Sequence, residues 1–342
     1  MLISQYNSSK ITVLNSLLIM MVLYIHSYYL EGEQYQGALA VQRLLSGNAI
    51  CGTANRLFFF ISGMLFFNGI AKASDCLGKM RKRVRTLLVP YLIWNVIFVL
   101  WYVVLHFVPG VKSFVNSDMT SHFASLWQGI YTLWIMPASF PLWFLRDLIC
   151  MVALSPIIWL YIKHFKLVGV ILYMLISLFY PNSATFFVLG AAVTMLWNLE
   201  KLQQMLSKPV VYCSMAVFAA SCVYVCLQPA SYQVPRVLDF VMAFSGMIAT
   251  WRGYDMIARG RCLAPSSAWA KLMGYSFFIY LFHEPTFNII KKLPIRLLGD
   301  SEPVVIAFFL INPIIMALVA IGVAKCLQKL MPKVYSILVG GR

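Results

Sequence analysis

Hydrophobic residues occur along the chain in long runs that are separated by polar stretches. A transmembrane helix needs about 20 predominantly apolar residues, and somewhat fewer where protein encloses part of it. Ten runs meet or approach this length, of which the fifth, sixth and eighth are short: 11–30, 49–71, 86–107, 142–162, 167–180, 185–199, 210–227, 236–251, 272–290 and 304–325. A further aromatic segment, 124–140, is predicted to lie in the membrane interface.

The composition agrees with this pattern. Of 342 residues, 61% are hydrophobic and 11% are charged, and the mean hydropathy is +0.80. Because a soluble domain carries about 25% charged residues, this composition excludes an ordinary soluble protein. The first run is too long for a cleavable signal peptide, and no small-residue cleavage site follows it. We predict an all-α integral membrane protein, a bundle of about ten transmembrane helices in a single domain, 1–342.

The formal net charge is +16, from 27 Lys and Arg against 11 Asp and Glu. In a membrane protein such an excess follows from the positive-inside bias and from attraction to anionic head groups, so membrane lipids are expected partners and nucleic acid is not. Most basic residues fall in loops on the side of the N-terminus, which predicts that both termini are cytoplasmic. The eight cysteines show neither CxxC pairs nor zinc-ligand spacing, and no metal site is predicted. The sequence leaves the oligomeric state open.

Six ionisable residues lie in or at the edge of predicted spans: His26, Arg56, Arg146, Asp147, His283 and Glu284. An ionisable residue inside a membrane is by default a candidate functional residue. At a rise of 1.5 Å per residue, all six fall between the mid-plane and the predicted outer interface. A shared depth favours one site built by several helices. The alternative is that these residues form ion pairs that only hold the bundle together.

His26 stands near the end of the first, almost wholly apolar run. A neutral imidazole that is hydrogen-bonded within a bundle would be a purely structural feature. The functional interpretation is a general base, because an unperturbed histidine, with a pKa near 6.5, both accepts and returns a proton at working pH.

A second feature is the basic run Lys79-Met-Arg-Lys-Arg-Val-Arg85. Its structural interpretation is a charge cluster that fixes the topology. On a helix, however, Lys79, Lys82 and Arg85 would share one face, since they recur every three residues. Such a face could bind a phosphorylated ligand from the cytoplasm by charge-assisted hydrogen bonds.

Five stretches together resemble the acyltransferase family 3 membrane proteins, which include bacterial O-acetyltransferases of lipopolysaccharide, peptidoglycan and exopolysaccharide. They are the first run ending in Ile25-His-Ser27, Leu57-Phe-Phe-Phe-Ile-Ser-Gly63, the basic run leading into Leu87-Leu-Val-Pro-Tyr91, Leu142-Trp-Phe-Leu-Arg-Asp-Leu148, and Tyr275-Ser-Phe-Phe-Ile-Tyr-Leu-Phe-His283. The order and spacing of these stretches cover most of the chain.

The resemblance implies ten membrane helices in the bacterial cytoplasmic membrane. It also implies an acyl-CoA donor, usually acetyl-CoA, that arrives from the cytoplasm, and transfer of the acyl group to a hydroxyl of a cell-envelope carbohydrate. The essential first-helix histidine of the family corresponds to His26. Asn15 stands where the family often has Arg or Lys, eleven positions earlier. The RxxR motif of the family corresponds to the Arg81–Arg85 cluster, in which Lys82 and Arg85 are the nearest pair.

From these residues we predict an acyltransferase in which His26 takes the proton of the acceptor hydroxyl. Arg146 is the first candidate to stabilise the oxyanion, because a positive charge would lie where negative charge develops. The other predicted roles are orientation of an imidazole or an arginine by Asp147 or Glu284, substrate contacts from Asn15, Arg56, His283 and Glu284, and binding of coenzyme A phosphates by Arg81, Lys82, Arg83 and Arg85.

Two other classes of function remain open at this point. A transporter or flippase for a polysaccharide precursor or a small polar solute would also place charge at one depth in the membrane. No inverted repeat and no matched pair of broken helices, which many transporters have, is visible in the sequence. An inactive relative that serves as a membrane partner is the third possibility, and Asn15 is its best support. Consumption of acyl-CoA with release of free CoA distinguishes the enzyme from both.

Overall fold

The structure is a computed structural model that describes residues 4–107, 125–179, 182–197, 199–229, 232–262 and 267–341. In this part of the chain all regular secondary structure is helical. The α-helices are α1 Gln5–His26, α2 Gln36–Leu44, α3 Thr53–Phe67, α4 Ala73–Arg83, α5 Val89–Phe107, α6 Leu126–Trp134, α7 Leu142–Ala153, α8 Ser155–Phe179, α9 Ala184–Leu196, α10 Leu199–Met205, α11 Lys208–Cys226, α12 Arg236–Ala258, α13 Ala268–Met273, α14 Ser276–Leu298, α15 Glu302–Leu330 and α16 Pro332–Leu338. Short 3₁₀ turns cover Leu30–Gln34 and Ile50–Gly52, and a π-helical turn covers Val84–Leu88.

The chain is a multi-pass membrane protein. Within the described residues, six helical segments are long and apolar enough to cross a membrane: Gln5–His26, Ile50–Phe67, Ala73–Val104, Ser155–Phe179, Lys208–Cys226 and Glu302–Leu330. The other predicted spans correspond to helices that are shorter or less apolar. The number of about ten crossings and the orientation of the termini therefore stay predictions. Residues 124, 180 and 198, which belong to predicted segments, lie outside the described residues.

A proline marks the break that divides the predicted fourth span. α7 ends at Ala153 and α8 begins at Ser155, although the sequence pattern predicts one helix over 142–162. Pro156 explains the break, because proline lacks the backbone N–H that would continue the hydrogen bonding of α7. A second interruption lies within α8 at Lys166, where φ is 49°. This turn falls in the predicted loop between the fourth and fifth runs.

A π-helical turn joins α4 to α5, so that Ala73–Val104 forms one long apolar segment. In a regular helix the ring of Pro90 would meet the carbonyl group of Thr86. The wider turn over Val84–Leu88 lies at this point and accommodates the proline. It also rotates Arg85 relative to the helical spacing that the sequence pattern assumes.

Two glycines bring α3 and α9 into direct contact. A Cβ atom on Gly63 would lie 2.1 Å from the carbonyl oxygen of Phe187, and one on Gly190 would lie 2.0 Å from that of Phe60. Small residues of this kind allow membrane helices to approach closely. The glycine that ends the Phe-Phe-Phe-Ile-Ser-Gly stretch thus has a packing role, and it fixes α3 as a wall of the bundle.

α1 is held at both of its ends. The side chain of Ser4 accepts a hydrogen bond from the backbone N–H of Asn7 and caps the first turn. Beyond the last turn, the Ser27 hydroxyl donates to the carbonyl oxygen of Phe309 at 3.0 Å. The Tyr24 hydroxyl donates to the carbonyl oxygen of Leu310 at 3.1 Å. His26, the final residue of α1, is therefore fixed against α15.

Candidate active site

Three of the predicted site residues come together where α1 ends beside the middle of α14. The imidazole rings of His26 and His283 have their centroids 5.0 Å apart. Nδ1 of His26 lies 3.7 Å from Oε1 of Glu284, and both side chains are mostly buried, with exposed fractions of 17% and 14%. At this distance the contact is an electrostatic pairing rather than a hydrogen bond. Nε2 of His26 has no hydrogen-bond partner among the described residues.

A break in α14 presents two consecutive residues to the same imidazole. Glu284 has φ −101° and ψ 139°, which is extended backbone inside an otherwise helical segment. Its successor in the sequence is a proline, and a residue before proline is driven out of the helical region. In a regular helix consecutive side chains diverge by about 100°. The break therefore allows both His283 and Glu284 to lie next to His26.

His283 is fully buried and its tautomer is determined by its contact. Nδ1 lies 2.7 Å from the carbonyl oxygen of Tyr280. Because a carbonyl oxygen only accepts, Nδ1 carries the proton and Nε2 is an acceptor. Nε2 is buried without a hydrogen-bond partner among the described residues. A buried acceptor with no partner is costly, so this atom marks a position where a donor from another molecule would be stabilised.

Glu284 is oriented by its own helix. Oε2 accepts a hydrogen bond of 3.0 Å from Nδ2 of Asn288, one turn further along α14. Oε1 remains directed towards His26. A carboxylate held in this way fixes the orientation of an imidazole and stabilises its protonated form.

A cavity of about 400 Å³ lies along α1 before the histidine pair. From α1 it is lined by Thr12, Asn15, Ile19 and Val22, which share one face of the helix. Val22 is one helical turn, about 6 Å, from His26. The cavity thus extends along α1 and ends one turn short of His26.

The cavity is mainly apolar but contains several polar groups without partners. Asn15, Asn55, Ser62 and Arg83 line it. All four are partly buried, and none has a hydrogen bond or ion pair with another described side chain. Asn15 and Arg83 were predicted from the sequence as substrate and cofactor contacts. Asn55 and Ser62 were not predicted, because Asn55 stands beside the more conspicuous Arg56 and Ser62 is a single polar residue within an apolar run.

The basic run divides in the structure. Arg83 faces the cavity, whereas Arg81, Lys82 and Arg85 are exposed. Lys79 turns to the end of α3, where Nζ donates to the carbonyl oxygens of Phe66, at 2.7 Å, and Asn68. Lys79 is therefore engaged by the end of α3, and Arg85 lies within the π-helical turn, outside the regular helix that the spacing of Lys79, Lys82 and Arg85 assumes.

Arg146 and Asp147 form a pair of their own on α7. Nε and Nη2 of Arg146 lie 2.9 and 2.8 Å from Oδ1 of Asp147. Nη1 of the arginine donates to the carbonyl oxygen of Ile135 at 2.6 Å, and the Ser183 hydroxyl donates to Oδ2 of the aspartate at 2.9 Å. Among the described contacts, none joins this pair to the histidines.

Arg56 is also paired away from the histidines. Its Nη2 forms an ion pair with Oδ1 of Asp239, whose side chain is 40% exposed. The six residues predicted to share a depth thus fall into three groups, of which one contains both histidines and Glu284. The assignments of Arg56, Arg146 and Asp147 to a common site stay predictions.

A further buried charge was missed by sequence reasoning. The Lys10 side chain is fully buried and Nζ lies 2.9 Å from both carboxylate oxygens of Asp255. Lys10 was counted only as a loop charge, and Asp255 lies just beyond the predicted span 236–251. The sequence signal that could have indicated this buried charge is the group of polar residues near the start of α1.

Comparison with known proteins identifies the sequence class. The profile of the acyltransferase domain family, acyltransferase family 3, matches residues 9–324. A curated relative, the succinoglycan biosynthesis protein ExoH of Rhizobium meliloti (strain 1021), is 23% identical over 355 aligned residues, which cover 98% of this chain and 92% of the relative. No solved structure matches the chain significantly.

Proposed function

Because the chain belongs to acyltransferase family 3, we propose that it transfers an acyl group, acetyl in the first instance, from acyl-CoA to a hydroxyl of a cell-envelope carbohydrate in the bacterial cytoplasmic membrane. His26 is the general base of this reaction. The observation that carries the proposal is the meeting of His26, His283 and Glu284 one helical turn beyond the end of a cavity that contains Asn15 and Arg83.

The cavity supports a route for the donor. Arg83 has no carboxylate partner among the described residues, and a guanidinium group binds phosphate through charge-assisted hydrogen bonds. The amide of Asn15, which lines the same cavity, can bind an amide of the pantetheine arm. In this arrangement the phosphates of coenzyme A lie at the Arg83 end and the thioester reaches the Val22 end.

The chemical step then uses His26 and Glu284. Nε2 of His26 removes the proton from the acceptor hydroxyl as its oxygen attacks the thioester carbonyl carbon. The carbon–sulfur bond breaks, the coenzyme A thiolate leaves, and the proton passes from His26 to the sulfur. Glu284 stabilises the imidazolium between these two events. The unpartnered Nε2 of His283 accepts a hydrogen bond from the acceptor and so orients it.

The proposed acceptor class rests on the relative. Its name places it in the biosynthesis of succinoglycan, and this chain aligns with it along almost its whole length. The outward course of α1 in the predicted topology would place the histidines towards the cell envelope. We therefore propose a saccharide hydroxyl as the acceptor.

The test measures acetyl-CoA binding and thiol release by purified protein in nanodiscs, with a glycan acceptor. We expect His26→Ala to bind acetyl-CoA as wild type does and to release thiol about 10²–10⁴ times more slowly, the usual contribution of a general base. His164→Ala is the matched control, because His164 is exposed on α8 and should retain full activity. Equal thiol release by wild type and His26→Ala, in protein that still folds and inserts, would overturn the assignment.

A further inference from the structure

A second cavity, of about 620 Å³, lies at the end of the bundle where α1 begins. It shares no lining residue with the cavity that extends along α1 and ends one turn short of His26. Its lining is dominated by polar and charged side chains: Tyr6, Gln203, Lys208, Tyr212, Arg252, Asp255 and Arg259, with Met256 and Gly260. Three cations thus surround a cavity that contains one carboxylate.

That carboxylate is fully engaged from within the protein. Oδ1 of Asp255 accepts hydrogen bonds from the Tyr6 hydroxyl at 2.6 Å and from Nζ of Lys10 at 2.9 Å. Oδ2 accepts from Nζ of Lys10 at 2.9 Å and from Nη1 of Arg252 at 2.7 Å. Two positive charges therefore act on one negative charge. Asp255 neutralises the buried Lys10 and leaves the cavity positive.

Arg252 is held in position rather than neutralised. Besides its contact with Asp255, its Nε donates to the carbonyl oxygen of Leu206 at 3.2 Å. The guanidinium is thereby oriented by a carboxylate of its own helix and by a carbonyl group just beyond the end of α10, while it lines the cavity. A preorganised guanidinium loses little conformational entropy when it binds an anion.

The other two cations have no compensating partner. Neither Lys208 nor Arg259 forms an ion pair or side-chain hydrogen bond within the described part of the chain. Arg259 caps the end of α12, where the helix dipole by itself favours a cation. That dipole does not explain Lys208, which comes from the first residue of α11 and lines the same cavity. Both side chains are exposed, so an anion in the cavity can reach them without breaking an ion pair among the described residues.

We propose that this cavity binds a phosphate-bearing anion. Lys208, Arg252 and Arg259 bind the phosphate oxygens, and Tyr6 and Tyr212 border the group attached to the phosphate. Basic pockets of this kind at a membrane surface bind lipid head groups, and a soluble phosphate has the same chemistry. The site is separate from the proposed acyl-transfer site and does not depend on it.

The experiment uses the full-length protein in a mild non-ionic detergent and measures ligand binding together with the thermal midpoint Tm. The probes are dihexanoyl phosphatidylglycerol, the zwitterionic dihexanoyl phosphatidylcholine, and inorganic phosphate. The test variant is Lys208→Gln with Arg259→Gln, two exposed residues without internal contacts, so folding should be preserved. The control variant, Arg261→Gln with Lys271→Gln, removes the same charge from exposed positions outside the cavity.

We expect the anionic lipid to bind wild type and the control variant and to raise their Tm, with about tenfold or greater loss of affinity in the test variant. Binding of phosphatidylglycerol alone identifies a lipid head group, and comparable binding of inorganic phosphate identifies a soluble phosphate. Equal affinity of wild type and test variant, or equal losses in both variants, would overturn the site. So would the absence of binding by both phosphatidylglycerol and inorganic phosphate.

Discussion

Two groups of ionisable residues in the bundle differ in how completely they are bonded. Arg146 and Asp147 satisfy each other at 2.8–2.9 Å and use their remaining atoms on a backbone carbonyl and on a serine hydroxyl. His26 and Glu284 stand 3.7 Å apart, and Nε2 of His283 has no partner among the described residues. A bonded group stabilises the fold, whereas a group that binds or reacts must keep a free position. Burial alone does not distinguish a structural group from a reactive one. The presence or absence of hydrogen-bond partners at each polar atom does.

Of the variants that test this difference between the two groups, Glu284→Gln should have the largest effect. The amide keeps the shape of the side chain but does not stabilise an imidazolium, so we expect kcat to fall about 10²-fold. The Tm should stay close to that of wild type, since Oε1 makes no short hydrogen bond that would be lost. Thiol release at saturating acetyl-CoA measures kcat, and thermal unfolding measures Tm. A variant with wild-type kcat would remove Glu284 from the mechanism.

For Arg146→Met we expect lower stability and nearly unchanged activity, the opposite of the result for Glu284→Gln. The substitution leaves the partly buried Asp147 without its main partner, and we expect a loss of about 1–3 kcal/mol in the free energy of unfolding. The activity of the folded fraction should stay within about threefold of wild type. If Arg146 instead stabilises the oxyanion, as predicted from the sequence, kcat falls about 10²-fold or more at unchanged stability. Activity per folded protein, from a thermal melt and a turnover assay on one sample, distinguishes the two results.

A matched pair of variants, with a smaller expected effect, tests the same difference between the two groups. Asn288→Ala removes one hydrogen bond to Glu284, and Ser183→Ala removes one of similar length, 2.9 Å, to Asp147. We expect kcat to fall about threefold to tenfold in Asn288→Ala, because the carboxylate that orients His26 is less well held. Ser183→Ala should change Tm alone. Equal effects on kcat would mean that the two carboxylates do not differ in function.

The sequence predicts the helical membrane class and the principal residues of the candidate site. Long apolar runs specify membrane helices, and an isolated histidine in such a run is conspicuous because a membrane does not hydrate charge. The histidines at 26 and 283, with Glu284, were singled out on this ground, and the structure brings the three together. The membrane class is confirmed, whereas their roles stay predictions.

The structure adds partners that the sequence pattern does not contain. Arg56 and Arg146 were grouped with the histidines by depth, but depth along a helix says nothing about direction around it. The partner of Arg56, Asp239, is determined by the rotation of α3 and α12 in the bundle, whereas Arg146 pairs with its own sequence neighbour, Asp147. Lys79 was likewise assigned by spacing, although its contact with the end of α3 depends on tertiary packing. A π-helical turn is similarly invisible to a rule based on 3.6 residues per turn.

One helix break can nevertheless be predicted from adjacent residues in the sequence. Proline after Glu284 predicts extended backbone at that residue, and the structure has it there. Proline also accompanies the division of the expected single helix over 142–162, because Pro156 has no backbone N–H to continue the hydrogen bonding of α7. Both sites show that a local rule on backbone geometry can override hydrophobic periodicity.

The break at Glu284 also divides α14 into two halves that can change independently. An insertion before it would rotate Tyr280 and His283 together, and with them the proton-bearing nitrogen of the buried imidazole. A change after it would turn Asn288 and the second half of the helix while His283 kept its place, and Glu284 would lose the hydrogen bond that holds it. The break thus separates changes that move the buried imidazole from changes that move only the residue that holds the carboxylate.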